Sequence, residues 1–571
     1  MRFRSQLSGL IGLLLLLGAC SSGGDAPSQA TGNTNQGTSG QGSSQGSNPV
    51  SAPGSMQGPD PQRVLQWHLS LAEFSPQDTT QSSSQTRPLY DLALGNLSER
   101  GRGLRIALID GTVDSKHPDL LGRLLDSSAI CCDWVPLTQQ NDPSNAGPGS
   151  AMRSKVAETG HATGLAALIA ATENNSIGGR GIAPAATLIS LNAIASGDDS
   201  RLVQALQVAL GSGASVINNS WSPPDPNEGG SRSFYPAPQA WYSALDEAQS
   251  KGRSGLGAII VKAAGNGGAA LSPSRLRSDS ADSANYDGYA QHPAVISVGA
   301  VDAFARPLTV SEPGAQVLVS AFSSQTNSPS LSTGTEVLPS GTSSAAAMVS
   351  ALSALMLEAN PGLTWRDLRW ILATTARPIP GYDQPGISSA QSLLRSHGYH
   401  QQVGFGLIDA GAAVQSAKSF QGLPPLMNCL LDAEKNAPII TRAGTGEQLA
   451  LPWQQVAIDR ENSKISFSFD LAKAQCPIDR IESLMLSLAS SHQDATGLRI
   501  TLISPLGYGV QFAAPRDCAH TACTNLNNGF RFHSVRFMAE PAAGRWILQI
   551  SEESGKSIGT LSKLQLSFLG H

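Results

Sequence analysis

Between Leu104 and Leu357 the chain alternates short apolar runs with longer stretches of helical spacing. LRIALID (104–110), TLISL (187–191), SVINNS (215–220), LGAIIV (256–261) and AVISVGAV (294–301) read as buried strands, whereas LAALIAA (165–171), LVQALQVAL (202–210) and the run after Gly341 read as helices. This alternation predicts an α/β domain, a mainly parallel sheet with helices on both faces. Past Gly422–Pro425 the period drops to two, in ISFSFDL, IESLMLSLAS, LRITLIS, GVQFAA, SVRFM, RWILQIS and KLQLSFL. That pattern predicts an all-β sandwich or jelly roll. Two folded units are expected, at 58–420 and 426–571.

The first 57 positions differ in kind. Arg2 and Arg4 precede the apolar run LIGLLLLLGA and then Cys20, the layout of a secretory signal over 1–19, too short for a stable membrane span. Leu17-Gly18-Ala19-Cys20 resembles a bacterial lipobox, which implies lipidation of Cys20; the alternative is a signal cut elsewhere with Cys20 incidental. Several acyl chains anchor stably where one does not. By resemblance to Gram-negative lipoproteins, Ser21 and Ser22 in place of Asp imply the outer membrane. Residues 20–57 are rich in Gly, Ser, Gln and Asn, with almost nothing to bury, and are expected to be a disordered tether with roughly 30–40 Å of reach. In a 571-residue chain, 40% hydrophobic residues suffice for real cores, and a net charge of −5 gives no reason to expect nucleic acid or an anionic membrane as partner. The lipid is then the only membrane contact.

Candidate chemistry centres on GTEVLPSGTSSAAAMVSALSALMLE (334–358). Gly341 and Thr342 leave room beside Ser343, and the alanine run lets a helix begin there, so Ser343 sits near a positive helix end. Read alone, the same residues are a plain helix-capping signature. A serine nucleophile needs a base and a group that orients the base. Asp110 ends the strand LRIALID, and His161 lies where Gly160 opens a small-residue helix. The order Asp, His, Ser is that of the subtilisin arrangement of the triad. Asn266, in the permissive loop AAGNGG after LGAIIV, supplies a side-chain amide for an oxyanion.

These motifs, with GHATGLAALIAATENNSIGGRGIAP, ANYDGYAQHPAVISVGAVD and GFGLIDAGAAV, make residues 58–571 resemble a subtilisin-like serine protease of the kexin and furin branch. ISPLGYGV, EPAAGRWILQISEE and GTLSKLQLSFLG resemble that branch's P domain, which braces the catalytic domain. The resemblance implies Asp110 as orienting acid, His161 as base, Ser343 as nucleophile and Asn266 as oxyanion donor. Thr112 and Ala162 stand where the family usually has Gly. The resemblance further implies that Asp225 and Asp287 receive a basic side chain before the scissile bond, since a buried carboxylate pairs a substrate Arg or Lys and penalises an apolar residue. Glu158 could receive the next basic residue, whereas Gly111 and Gln204 replace further acids. Calcium is implied at two oxygen-rich sites, one from Asp225, Asp282 and Glu312, the other from Asp60, Asp119, Asn175 and the Gly179 backbone. Read singly, all these acids are ordinary solvated loop residues.

Six of the seven cysteines remain once Cys20 is assigned to lipid. Cys518 and Cys523 are expected to close a local loop and Cys429 to pair with Cys476, while Cys131 and Cys132 form a vicinal bridge or stay thiols. No folded propeptide separates tether from catalytic domain; the enzyme folds unaided, or the P domain or a dedicated chaperone takes over that task. The expectation is a monomeric, calcium-dependent, lipid-anchored serine endopeptidase that cleaves proteins after Arg or Lys. Its rivals are a broad-specificity degradative protease and an inactive surface-binding protein.

Overall fold

The computed structural model describes residues 59–72, 88–95, 97–125, 155–194, 198–224, 234–268, 282–324, 340–382, 398–460, 464–516, 526–555 and 557–571, with side chains from 160 onward in the fourth stretch. Six parallel strands form the first sheet: β1 (Arg105–Asp110), β2 (Thr187–Asn192), β3 (Val216–Asn219), β4 (Ile259–Ala263), β5 (Val295–Val301) and β6 (Val317–Phe322). Their order is β2-β1-β3-β4-β5-β6, all parallel. Side chains alternate across a strand, so a sheet covered on both faces needs apolar residues at every position. In β1, Ile106 and Leu108 face one hydrophobic cluster, and Ala107 and Ile109 face the other.

The first cluster holds α1 (Lys155–Ala170), α4 (Gly341–Ala359), α5 (Trp365–Thr375) and α6 (Ala410–Ser419), and the second holds α2 (Asp199–Gly211) and α3 (Gln239–Lys251). Helix α4 is long and apolar enough to cross a membrane by composition, but positions 341–357 are all buried in this core. Helix α1 begins at Lys155, earlier than the Gly160 start expected from the sequence.

Two antiparallel sheets follow. One has the order β13-β10-β15-β7 and the other β12-β11-β14-β9-β8, built from β7 (Met427–Asp432), β8 (Ile439–Arg442), β9 (Lys464–Leu471), β10 (Ile481–Ser490), β11 (Leu498–Ile503), β12 (Gly509–Ala513), β13 (Phe530–Ser534), β14 (Gly544–Glu552) and β15 (Leu561–Gly570). They share one core, in which Phe467, Phe512, Phe532, Trp546 and Phe568 are buried. The expected strand over 534–538 is corrected. The strand is Phe530–Ser534, and Val535 and Met538 after it turn against the first domain, with Val535 N–H donating to the Ala315 carbonyl at 3.0 Å, while Phe537 stays in the core of the second. Cys429 and Cys476 form the expected disulfide.

The domains meet through a buried polar cluster. Arg366 on α5 donates from two nitrogens to the Glu482 carboxylate on β10, at 2.9 and 2.5 Å, and His571 Nδ1 approaches the same carboxylate at 2.9 Å. Arg369 donates to Ser483 Oγ at 3.2 Å. Burial alone would push the Glu482 carboxyl up, but hydrogen bonds from His571 and Arg366 outweigh it and hold it below the ordinary value. A depressed carboxylate contributes stability that is present at neutral pH and lost as pH falls below the usual glutamate range. Glu482→Ala leaves a buried guanidinium without its partner, so it is expected to cost about 3–5 kcal/mol. Replacing the pair together, Arg366→Met with Glu482→Leu, costs far less. Urea denaturation of the three proteins checks this, and an unchanged midpoint for Glu482→Ala would rule it out.

Candidate active site

Parallel strands deliver their C-terminal ends to one edge of a sheet, and loops leaving neighbouring strands converge there. Asp110 is the last residue of β1, Ser220 directly follows β3, and Asn266 follows β4; these three strands are adjacent. The Asp110 carboxylate is fully buried, and its Oδ1 accepts from the Gly111 amide at 2.7 Å and lies 2.9 Å from His161 Nδ1. His161 keeps 34% of its side chain exposed, so the ring is gripped at Nδ1 and still reaches the surface. The two departures from the family pattern are absorbed. Thr112 Oγ1 accepts from Asn192 Nδ2 at 2.9 Å, and Ala162 is buried in the first core.

Ser343 is not a cap. The N-cap position of α4 is Ser340, whose side chain makes no capping bond, and Ser343 lies within the first turn. The end is capped from another loop: Asn266 Oδ1 accepts from Thr342 N at 2.9 Å and from Thr342 Oγ1 at 3.1 Å. With its oxygen so committed, the Asn266 amide has its Nδ2 donors left for another partner. Gly341 makes this approach possible, because its φ is +64° and a Cβ there would stand 2.4 Å from Asn266 Oδ1. The Ser343 hydroxyl donates to the Ser220 carbonyl at 3.1 Å, while Ser220 Oγ donates to the Ser343 carbonyl at 2.9 Å. Ser220 Oγ accepts in turn from Asn218 Nδ2, whose Oδ1 accepts from Ser350 of α4, at 2.9 and 2.8 Å. Sequence reasoning passed over this Ser350–Asn218–Ser220 relay, although two polar residues ending the apolar run SVINNS were a usable signal.

Asp287 is 5% exposed, but it is not a lone acid. Its Oδ1 accepts from Tyr289 N at 2.8 Å, and its Oδ2 lies 2.9 Å from Nζ of Lys262, itself buried in β4. Lys262 went unremarked in the sequence, yet a lysine directly after a buried run such as IIV demands a partner.

Glu312 and Asp282 both flank the Asn266 loop. Glu312 Oε1 accepts from Gly267 N at 3.0 Å, and Asp282 N donates to the Gly267 carbonyl at 2.9 Å. The other oxygen cluster also assembles: Asp60 accepts from the amides of Asn174 and Asn175 at 2.8 and 2.9 Å, and Asn175 Nδ2 donates to Asp119 Oδ1 at 2.9 Å. Gly179 lies in the same loop, which is tied back by Arg180 N to Gln66 Oε1 at 2.8 Å. Burial pushes the Asp119 carboxyl up to about 6, and the Asp60 charge adds to the rise. Its buried Oδ2 has no aligned donor. Such a carboxylate oxygen suits a hard cation, although among the described residues no three His, Cys, Asp or Glu side chains group as a ready-made metal cage. Asp225, the Glu158 side chain, Cys20, Cys131, Cys132, Cys518 and Cys523 lie outside the described residues.

The pattern of the Subtilase family matches residues 101–406, more than half of the chain. The chain belongs to the subtilase family. The Proprotein convertase P-domain matches residues 481–568 of this subtilase, and places it in the furin and kexin branch. It is 26% identical to rat (Rattus norvegicus) furin over 519 residues, covering 90% of this chain and 58% of furin. It is 28% identical over 522 residues to the dibasic-processing endoprotease of Schizosaccharomyces pombe, covering 90% of this chain and 65% of that one. The subtilase thus spans less than two thirds of the length of these relatives. Among solved structures, the serine protease of Aeromonas sobria superposes with a TM-score of 0.64 at 22% identity, covering 90% of this chain and 96% of that one.

Gly341→Ala introduces about 1–2 kcal/mol of left-handed strain and drives a methyl group into the Asn266 amide. Asn266→Ala removes the cap on Thr342 and is expected to cost about 0.5–2 kcal/mol. Scanning calorimetry should find both melting temperatures lowered, Gly341→Ala the more; an unshifted Gly341→Ala would contradict the close approach.

Proposed function

We propose that the protein is a serine endopeptidase that hydrolyses peptide bonds of protein substrates. The observation that carries this reading is the buried Asp110 carboxylate gripping His161 Nδ1 at one sheet edge, together with a serine in the first turn of α4 beside a side-chain amide of fixed orientation. With Nδ1 bound to Asp110, His161 presents Nε2 to the serine. Ser343 Oγ leaves the Ser220 carbonyl, gives its proton to Nε2 and bonds to the substrate carbonyl carbon. The oxyanion takes hydrogen bonds from Asn266 Nδ2 and the Ser343 amide. The imidazolium then protonates the departing amine, and a water repeats the sequence to release the acyl group.

Likeness to the furin and kexin branch supports cleavage after Arg or Lys as a first reading of specificity, in which Asp225 and Asp287 would receive the basic side chain and Glu158 would stand beside the next position. A second reading, broad specificity with structural pocket acids, is favoured by one observation: Asp287 already has a cation at 2.9 Å. Calcium at Asp60, Asp119, Asn175 and the Gly179 backbone would fasten the loop after α1, and at Asp225, Asp282 and Glu312 it would stiffen the floor of the Asn266 loop. Lipidation of Cys20, outer-membrane anchoring through the tether and a monomeric state are proposed on the sequence alone. A dedicated folding chaperone completes the proposal. Its support is that the Aeromonas sobria protease, of the same fold, has been solved in complex with a chaperone.

A fluorophosphonate probe is expected to label the wild-type protein, and Ser343→Ala is expected to lose both labelling and peptide hydrolysis by about 10⁴-fold or more. A folded wild-type chain that resists the probe would favour a binding protein that has kept the fold. For calcium, the sign follows from Asp119. A carboxyl raised to about 6 costs the ion-free protein stability as pH rises from the ordinary Asp range through that value. The increase in melting temperature on adding calcium should therefore be larger at pH 7 than at pH 5, and smaller in Asp119→Asn. Equal shifts at both pH values would remove Asp119 from the ligand set.

A further inference from the structure

Lys262 is the most deeply enclosed cation beside the site. Its side chain is 1% exposed, on a central strand of the sheet, four positions before Asn266. Nζ donates to the Trp221 carbonyl at 2.5 Å, lies 4.0 Å from the Trp221 ring centroid and reaches Asp287 Oδ2 at 2.9 Å. Trp221 follows Ser220, the residue that holds the Ser343 hydroxyl, so this cation is linked through one peptide unit to the proposed nucleophile.

A buried carboxylate discriminates for a cationic substrate because, without one, it is left uncompensated. That penalty is removed when the protein brings its own cation. Asp287 loses nothing further when an uncharged side chain arrives, and an incoming guanidinium meets a charge already paired and an ammonium that repels it. Lys262 is well held where it is: a carbonyl, an aromatic face and a carboxylate each take one side of its ammonium, and the cation–π contact strengthens on desolvation.

We propose that Lys262 is a specificity-determining residue, an internal counter-ion that occupies Asp287 in place of a substrate cation and lowers the selection for Arg or Lys before the cleaved bond. The inference rests on the reading of the protein as a protease in which Asp287 faces that substrate position. It explains how a chain with the pocket acids of a basic-residue protease could accept a wider set of substrates.

The test uses the full chain and two peptides that differ only in Arg or citrulline before the bond, citrulline being the uncharged isostere. Active enzyme is counted with the fluorophosphonate probe, and the readout is the Arg-to-citrulline ratio of kcat/KM. Lys262→Met frees Asp287 and is expected to raise the ratio about 10- to 100-fold, the worth of a charged hydrogen bond. Because removing one member of a buried pair can unfold a protein, Lys262→Met with Asp287→Asn is measured as well, since it removes both charges together. Its ratio is expected to stay within about threefold of wild type, as the pair carries no net charge toward substrate. A double variant whose ratio collapses would overturn the proposal, because Asp287 would then receive the substrate cation despite Lys262. So would a folded Lys262→Met with an unchanged or lower ratio. A wild-type chain that cleaves neither peptide and takes no probe overturns the protease reading and this one with it.

Discussion

Small side chains let a helix approach its neighbours closely, and the first turns of α4 supply them with Gly, Ser and Ala. Burial along nearly its whole length leaves this helix one position, and its start is pressed into the loops that follow β3 and β4. The missing Cβ at Gly341 is what admits the Asn266 amide. The orientation of that amide, the capping of the helix and the location of Ser343 are one packing event, so none can be altered without the others.

Much of this is legible in the sequence. Period and run length separate the parallel domain from the antiparallel one, and Asp110, His161, Asn266 and Ser343 stand in short motifs whose small neighbours mark crowded backbone. Other features escaped for physical reasons. Gly160 looks like the start of α1, but an interior glycine costs a helix only about 1 kcal/mol, and α1 runs through it from Lys155. SVRFM has the apolar spacing of a strand, yet Val535 and Met538 are spent on covering the first domain rather than on pairing. The partners of Lys262 and Ser343 lie in distant loops, and no local pattern announces a contact that only the fold creates.

The second domain reaches further than its own core. It grips the segment around Asp287: Asn285 Nδ2 donates to the Gln511 carbonyl at 3.0 Å, the Tyr286 hydroxyl accepts from Ala514 N at 3.1 Å, and Gln291 Oε1 accepts from His533 N at 2.7 Å. Phe234, on the chain that pairs with this segment, packs its ring against Phe530 and edge-on to Phe532 of the β domain. The carboxylate that meets Lys262 is therefore carried on a segment fixed from both domains.

The buried pair of Arg366 and Glu482 has a meaning for folding. Its members are 116 positions apart. Until the strand that carries Glu482 is in place, the first domain holds a guanidinium whose carboxylate partner belongs to the second. The face of α5 that meets β10 is therefore finished only when both domains have formed, which couples the folding of the first to that of the second.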